Sequence, residues 1–285
     1  MGMKITTFMC LASTLLAPVS QGAPGGYALV WADEFNVDGR PDPANWTYEH
    51  GHSRNHEAQW YQPENAWCTN GFLVIEARRE RVPNPGHKPG SKDWRKQWDH
   101  ANYTSACLIT RGLHSWQYGR FEMRAKIDTR AGLWPAFWTL GNEGDWPTNG
   151  EVDIMEYYQD KLLANVIWGA VPYSPPKHKS VKTPLAKLGE GWADDFHLWR
   201  MDWDEEHIRL YVDDRLLNET KTDATRNPGK GRIEHPFGQP HYILLNLAIH
   251  GTCGGDPAAT EFPARFEVDY VRVYQKQNKD HPETH

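Results

Sequence analysis

The chain has 285 residues, a formal charge of −6 and four cysteines, and 39% of its residues are hydrophobic. This acidic balance argues against a nucleic-acid-binding protein, which would carry a basic surface. No apolar run reaches the about 20 residues that a membrane-spanning helix needs, so we expect no membrane partner. The 14 tryptophans and 12 tyrosines are many for so polar a chain. We expect them to serve both core packing and the stacking of sugar rings.

The first 23 residues have the pattern of an export signal. Lys4 supplies a positive charge, residues 5–16 are apolar or small, and residues 20–23 offer a cleavage site of small residues. We therefore expect a secreted or periplasmic protein. Its mature part, residues 24–276, fits one large β domain, and residues 277–285 form a charged tail.

Three cysteines remain once the signal is removed: Cys68, Cys107 and Cys253. An oxidising compartment permits one disulfide and would leave one thiol. A Cys68–Cys107 bridge is one expectation, because both cysteines flank strands that could be neighbours. Three buried free thiols are the alternative, and the sequence does not separate the two.

Short segments rich in β-branched and aromatic residues recur along the mature chain. They lie at residues 72–77, 106–110, 118–127, 136–140, 152–157, 165–168, 196–203, 208–212, 242–249 and 266–274. Turn signals such as Asn70-Gly71 and Asp213-Asp214 separate several of them, and helical periodicity is nearly absent. This pattern predicts an all-β protein, a β-sandwich of the jelly-roll type.

Residues 151–156 place three carboxylates in one apolar stretch: Glu151, Asp153 and Glu156. Strand side chains alternate between faces, so Glu151 and Asp153 share a face and Glu156 would point away. One bulged residue would bring Glu156 back beside Asp153, and we expect that residue to be Met155. Two carboxylates side by side can act as the nucleophile and the acid of glycoside hydrolysis. An acidic strand edge or a cation site is the alternative.

The stretch from Gly150 to Glu156 resembles the signature of glycoside hydrolase family 16 in its bulged form. Further motifs match the family in the same order, at residues 31–35, 45–46, 55–57 with Tyr61, 103–105, 118–122, 132–138 and 269–274. The chain is similar to the laminarinase and lichenase branch, whose members cut β-1,3- or mixed β-1,3/1,4-glucans. The resemblance implies a concanavalin-like jelly roll with a concave sheet that carries the sugar.

The resemblance also implies roles for the three acids. The family's first glutamate is the nucleophile and its last is the acid/base, which correspond to Glu151 and Glu156. Such a pair retains the anomeric configuration through a glycosyl–enzyme intermediate. We expect repulsion and partial burial to keep Glu156 protonated while Glu151 stays ionised. Asp153 lies between them and can hold their geometry by hydrogen bonding.

Further residues are candidates for contact with the sugar. Trp134 and Trp138 are four apart, so strand alternation puts both on one face, where they could stack sugar rings; core packing is the alternative. The other candidates are Asn55, Glu57, Trp60, Arg120, Asn165, Trp168 and His250. Turn caps, surface salt bridges or buried strand ends are the alternatives for these residues. Many family members carry a histidine near Asn165, and this departure puts the linkage preference in doubt.

The resemblance implies no cofactor for catalysis but a structural Ca2+. The matching ligand positions are Glu34, Gly71 and Asp269, which would offer backbone carbonyls and a carboxylate to a hard cation. A plain strand salt bridge is the alternative. The histidine-rich loop at residues 50–56 invites a zinc interpretation, but its spacing alone is a weak signal, and a sugar-facing loop is favoured.

A polysaccharide is therefore the predicted partner, and we expect a monomer. Two other interpretations stay open. Agarases, porphyranases and carrageenases of the same family act on galactans, and basic residues within 78–96 and 177–187 could meet sulfate groups. A sugar-binding lectin of the same fold is the other, although a lectin would not need both Glu151 and Glu156.

Overall fold

The computed structural model describes residues 26–169, 175–228 and 233–277. The predicted export signal, and all of the predicted tail except its first residue, lie outside the described residues. Within them, no helix has the length and apolar character needed to cross a lipid bilayer.

Strands dominate the described part of the chain. In chain order they are β1 (Tyr27–Asp33), β2 (Thr47–Tyr48), β3 (Gln59–Tyr61), β4 (Ala66–Thr69), β5 (Phe72–Ala77), β6 (Val82–Pro83), β7 (His100–Ala101), β8 (Tyr103–Ser105), β9 (Cys107–Ile109), β10 (Gly119–Lys126), β11 (Leu133–Gly141), β12 (Glu151–Tyr158), β13 (Lys161–Trp168), β14 (Lys177–Pro184), β15 (His197–Trp203), β16 (His207–Val212), β17 (Arg215–Lys221), β18 (His241–Ile249) and β19 (Ala264–Lys276). The helices are short: α1 (Gly251–Gly254) and 3-10 turns at Pro63–Asn65, Trp94–Lys96, Leu185–Lys187, Trp192–Asp194 and Thr222–Thr225.

Two antiparallel sheets form the sandwich. We call the first the back sheet; its strand order is β17-β16-β15-β10-β19-β5-β4, and β1 pairs with the second half of β19. We call the second the front sheet; its order is β14-β13-β12-β11-β18-β9-β2. The small pairs β3 with β8 and β6 with β7 lie outside these sheets. The predicted all-β jelly-roll class is confirmed.

The core lies between the two sheets, because each strand turns every second side chain inward. Strand β10 shows this alternation along its whole length. Its Phe121 and Met123 belong to the same buried cluster as Phe137 and Leu245 of the front sheet. Burying each such side chain contributes about 1.5–3 kcal/mol. The opposite face of the front sheet forms the floor of the cleft described below.

The three described cysteines are free thiols, so the expected Cys68–Cys107 bridge is wrong. Cys68 lies on β4 of the back sheet, whereas Cys107 lies on β9 of the front sheet. The two belong to different buried clusters. Burial raises the pKa of the Cys68 thiol to about 12 and that of Cys107 well above its ordinary value, so neither is a reactive thiolate at neutral pH.

Strand β14 was not predicted. Its sequence is Lys-His-Lys-Ser-Val-Lys-Thr-Pro, which lacks the alternation of apolar and polar residues that marks a half-buried strand. It forms at the edge of the front sheet, where both faces of its first half are exposed. Backbone pairing with β13 therefore determines this strand rather than its hydrophobic pattern.

Candidate active site

A bulge in β12 brings the three acids onto one face of the front sheet. Against β11, Phe137 pairs with Met155 and Trp138 pairs with Asp153, which leaves Ile154 as the extra residue. The expectation that Met155 is looped out is therefore wrong in detail. Ile154 and Met155 both point into the core, so the alternation resumes with Glu156 on the cleft side.

The acids line a cleft of about 580 Å3. Glu151, Asp153 and Glu156 form its floor on β12, with Trp134 and Trp138 beside them on β11. Its walls come from the loop before β3 and from strands β13, β14 and β18. The site is therefore built on regular strands of the sandwich rather than on one mobile loop.

Each outer acid is held by a tryptophan. The indole N–H of Trp146 donates to Oε2 of Glu151, and that of Trp134 donates to Oε1 of Glu156 at 2.8 Å. Asn165 links Asp153 to Glu156, because its Nδ2 lies 2.9 Å from Oδ2 of Asp153 and 2.8 Å from Oε2 of Glu156. These donors fix the carboxyl groups relative to one another.

The surroundings raise the pKa of all three carboxyls. Burial, followed by the nearby Asp153 charge, raises the pKa of Glu156 to about 8. Burial raises the pKa of Asp153 to about 6 and that of Glu151 well above its ordinary range. A protonated Glu156 at neutral pH agrees with the expected acid.

Burial raises the pKa of Glu151 and so opposes the ionised form that was expected. Glu151 and Asp153 are in hydrogen-bond contact, which requires a shared proton between two carboxyls. The Trp146 donor lowers the pKa of Glu151 and so opposes the effect of burial. Their hydrogen bond raises the pKa of Glu151 and lowers that of Asp153, which favours the shared proton on Glu151. Ionisation of Glu151 therefore requires transfer of that proton to Asp153.

The predicted tryptophan pair does lie in the cleft. Trp134 and Trp138 are each 7% exposed and both line it. The Trp138 indole N–H donates to Oδ1 of Asn246 at 2.7 Å, and the guanidinium of Arg54 lies 5.0 Å from the Trp138 ring centroid. The ring is thus fixed at its edge and on one face by polar groups.

Asn55 and Glu57 also line the cleft. Glu57 is almost fully buried and accepts hydrogen bonds from Asn55, Gln59 and Tyr61. Burial raises the pKa of Glu57. This carboxyl therefore anchors the loop at one end of the cleft, while Asn55 is the more accessible of the two predicted residues.

Trp168 and Arg120 were predicted for the cleft, and the structure places both elsewhere. Trp168 lies three residues after Asn165 on β13, so alternation turns it to the opposite face, where it joins the core. Arg120 lies on β10 of the back sheet and forms a bidentate pair with Asp202, at 2.7 and 3.2 Å. The surface salt bridge weighed for Arg120 is therefore correct.

Trp60 and His250 are not among the cleft-lining residues either. On β3 the side chains of Gln59 and Tyr61 turn toward Glu57, so Trp60 turns the other way and packs against His52. His250 follows the last residue of β18 with a left-handed φ of 64°. Its exposed ring bonds to the carbonyl of Gly255 at 2.7 Å instead of reaching the sugar site.

Several cleft residues were missed by the sequence analysis. They are Arg54, Trp146, Tyr158, His178, Ser180, Lys182, Asn246 and Cys253. Asn246 had a usable signal, because it is a polar residue inside the otherwise apolar strand β18. Trp146 had none, since only the folded loop brings it to the cleft. The basic residues within 177–187 are candidates for sulfate contact in the sequence, but only the edge pairing of β14 brings His178, Ser180 and Lys182 to the cleft.

The structure gives no support to a zinc site. No group of three or more metal-ligating side chains occurs in the parts of the chain described here. In the histidine-rich loop, the rings of His52 and His56 both pack against Trp94, and His52 also packs against Trp60.

The predicted calcium positions lie together in the back sheet. Glu34 follows β1, Gly71 lies in the turn between β4 and β5, and Asp269 lies on β19, which pairs with both β1 and β5. The carboxylate of Glu34 pairs with Arg272, and that of Asp269 pairs with Arg124 at 2.6 Å. Both carboxylates are therefore already paired with arginines, which leaves backbone carbonyls as the oxygens open to a hard cation. The calcium site stays a prediction.

The chain is similar to known glycoside hydrolases over most of its length. The family description "Glycosyl hydrolases family 16" matches residues 90–272. A beta-glucanase of Rhodothermus marinus is 38% identical over 87% of this chain and 85% of its own length. The structure matches that of an endo-acting O-glycanase from the human gut microbiota, which initiates mucin breakdown, with a TM-score of 0.81 and 34% identity over 90% of this chain and 93% of the other.

The laminarinase catalytic domain of Thermotoga maritima gives a TM-score of 0.74 and 34% identity, over 89% of this chain and all of the other. These matches span both sheets and the acidic bulge of β12. The chain therefore belongs to glycosyl hydrolase family 16.

Proposed function

We propose that this protein is a retaining endo-glycosidase that hydrolyses β-1,3-glucan or mixed β-1,3/1,4-glucan. The observation that carries the proposal is the bulge of β12, which puts Glu151, Asp153 and Glu156 on one face in a cleft. The relatives named beta-glucanase and laminarinase support glucan as the substrate.

In the first step, Glu151 attacks the anomeric carbon while Glu156 gives its proton to the leaving glycosidic oxygen. A pKa of about 8 keeps that proton on Glu156 at neutral pH. The bond to the leaving oxygen breaks as the bond to Glu151 forms. The proton shared by Glu151 and Asp153 passes to Asp153, so that Glu151 attacks as a carboxylate.

In the second step, Glu156 is a carboxylate and takes a proton from the water that attacks the anomeric carbon, while the bond from that carbon to Glu151 breaks. Asn165 can serve both protonation states, because its amide offers a donor and an acceptor. Nδ2 donates to the carboxylate form of Glu156. Oδ1 has no hydrogen-bond partner among the described residues and can accept the proton of the acid form when the amide turns.

A mucin O-glycan is the second candidate substrate. The O-glycanase gives a TM-score of 0.81, against 0.74 for the laminarinase domain, at the same 34% identity. This similarity makes an O-glycan the main competitor of glucan as the substrate. A lectin is disfavoured, because the cleft retains both outer acids and their individual donors.

The two substrates are separated by a panel of laminarin, lichenan, barley glucan, agarose, carrageenan and mucin O-glycans with product analysis. We expect oligosaccharide products from laminarin or the mixed-linkage glucans, and a first product with retained β configuration by NMR. If the enzyme cleaves only the mucin O-glycans, the second candidate replaces glucan as the proposed substrate. An inverted first product would contradict the proposed roles of Glu151 and Glu156. Because such polymers lie outside cells, we also propose that the enzyme acts as a secreted or periplasmic protein.

A further inference from the structure

One wall of the cleft is basic. The cleft-facing residues of β14 are His178, Ser180 and Lys182. Each pairs directly with a cleft-lining residue of β13. Paired residues of antiparallel strands present their side chains on the same face, so the three lie in one row. Their spacing of two residues corresponds to about 7 Å along the strand.

The charge on this row has no directly paired acid, although the charge of Lys182 lowers the pKa of Glu156 against the effect of burial. Within the described parts of the chain, neither Lys182 nor His178 forms an ion pair or a side-chain hydrogen bond, and both are exposed. Lys179, which alternation turns to the other face, donates to the backbone carbonyl of Glu219 instead. The donors of Lys182 and His178 are therefore available to a ligand in the cleft.

The basic row runs alongside all three acids. Across β13, Lys182 stands opposite Glu156, Ser180 opposite Asp153 and His178 opposite Glu151. Two strand spacings separate the acids from the row, which is about 10 Å between backbones. A sugar chain that leaves the acids across β13 would therefore pass over this row.

We propose that His178, Ser180 and Lys182 bind an anionic substituent, a sulfate ester or a carboxylate, on a sugar that lies over β13 and β14. The inference rests on the proposed hydrolase function, since that function makes the cleft a sugar-binding site. The N–H donors of His178 and Lys182 flank the hydroxyl of Ser180, and together they can donate to the several acceptor oxygens of an anion. Neutral glucans lack such a group and use only the aromatic part of the cleft.

An edge strand also carries lysines for another reason, namely to discourage pairing with other sheets. β14 is the outermost strand of the front sheet, so this explanation applies to its lysines in general. This explanation predicts that lysines on either face of β14 have the same effect on ligand binding. The anion-binding proposal predicts instead that only the cleft-facing charge matters, which gives a matched control in Lys179.

The test measures binding to the Glu151→Gln protein by calorimetry, so that no turnover intervenes. The ligands are laminaripentaose and its sulfated and carboxymethylated derivatives, which separate the two anion sources on one backbone. We expect at least one anionic ligand to bind about tenfold more tightly than the neutral one at low salt. That ratio should shrink at higher ionic strength, and Lys182→Gln or His178→Gln should reduce it to less than about threefold.

Lys179→Gln should leave the ratio unchanged, and melting temperatures should show that all variants fold. An equal loss in Lys179→Gln, or aggregation of Lys182→Gln with an unchanged ratio, would overturn the proposal in favour of bulk charge or edge protection. Turnover of laminaripentaose by the unmodified enzyme tests the glucanase function separately. If that turnover is absent while Lys182 still controls binding of the sulfated ligand, only the glucan proposal fails.

Discussion

The indole nitrogen of Trp134 donates a 2.8 Å hydrogen bond to Oε1 of Glu156 from the neighbouring strand. The same tryptophan lines the cleft, so one side chain both faces the sugar and contacts the proposed acid. Because the indole N–H stabilises the ionised form, it lowers the pKa of Glu156 against the effect of burial. Substrate contact and acid strength are therefore coupled through Trp134.

Trp134→Phe should move the alkaline limb of the pH–activity profile upward. The limb reports loss of the proton from Glu156, whose pKa is about 8 in the intact protein. Phenylalanine keeps an aromatic face but removes the donor, so the pKa of Glu156 rises and the acid form persists to higher pH. Profiles of kcat for both proteins test this, and a limb that stays or moves to lower pH would contradict the coupling.

Glu151→Gln and Glu156→Gln should each reduce kcat on polysaccharide by about 10³-fold or more while oligosaccharide binding is kept. The two should differ on an aryl glycoside whose leaving group needs no proton. Glu156→Gln should still release that group, whereas Glu151→Gln should not. Glu64→Gln, at an exposed ion pair with Arg40, is the control for the loss of a carboxylate. Near-normal turnover in either cleft variant would refute the roles.

Glu156→Gln should also stabilise the fold at neutral and alkaline pH. The pKa of Glu156 is about 8 in the folded state and about 4.3 in an unfolded chain. Between these values the folded state binds more protons, so stability falls as pH rises, and the loss is complete above about pH 8. Glutamine has no such loss.

The advantage of Glu156→Gln should therefore be small at pH 4 and grow up to about pH 8. Urea unfolding across this range measures the difference in the free energy of unfolding between the two proteins. In a thermal melt, each 1 kcal/mol corresponds to about 2–4 °C in Tm. An advantage that is constant with pH would show that the effect comes from packing rather than from titration.

Trp138→Ala should weaken oligosaccharide binding by about 1–3 kcal/mol if the ring stacks on a sugar. Trp138→Phe should cost less, because it keeps an aromatic ring for stacking although it removes the indole N–H that donates to Asn246. Calorimetry in the Glu151→Gln background measures both. Trp98 is 66% exposed and is not a cleft-lining residue, so Trp98→Ala serves as the control. Unchanged affinity in Trp138→Ala would reduce its role to packing.

Calcium should raise Tm without changing kcat if Glu34, Gly71 and Asp269 hold a structural cation. A ligand at 100 times its Kd stabilises by about 2.7 kcal/mol. Calorimetric scans with CaCl2 and with chelator test this prediction. Arg124→Gln is the matched control, since it breaks the ion pair to Asp269 but leaves the backbone carbonyls in place. A Tm that does not respond to calcium would exclude the site.

The sequence by itself determined the sandwich class, the three acids of β12 and the shared face of Trp134 and Trp138. These features follow from strand alternation, which is a local property of the backbone and is readable from the spacing of side chains. The same rule, applied strictly to the three-residue separation of Asn165 and Trp168, would have placed Trp168 in the core. Arg120 had no local signal of this kind, because alternation gives a face but not the sheet to which a strand belongs.

Only the tertiary structure decided which residue bulges and which loops reach the acids. Ile154 and Met155 are both apolar and both pack in the core, so only the register against β11 identifies Ile154 as the extra residue. Trp146 reaches Glu151 through a folded loop, and Lys182 reaches the cleft through edge pairing with β13. Such contacts join residues through the register of neighbouring strands and the paths of loops, which spacing along one chain does not encode.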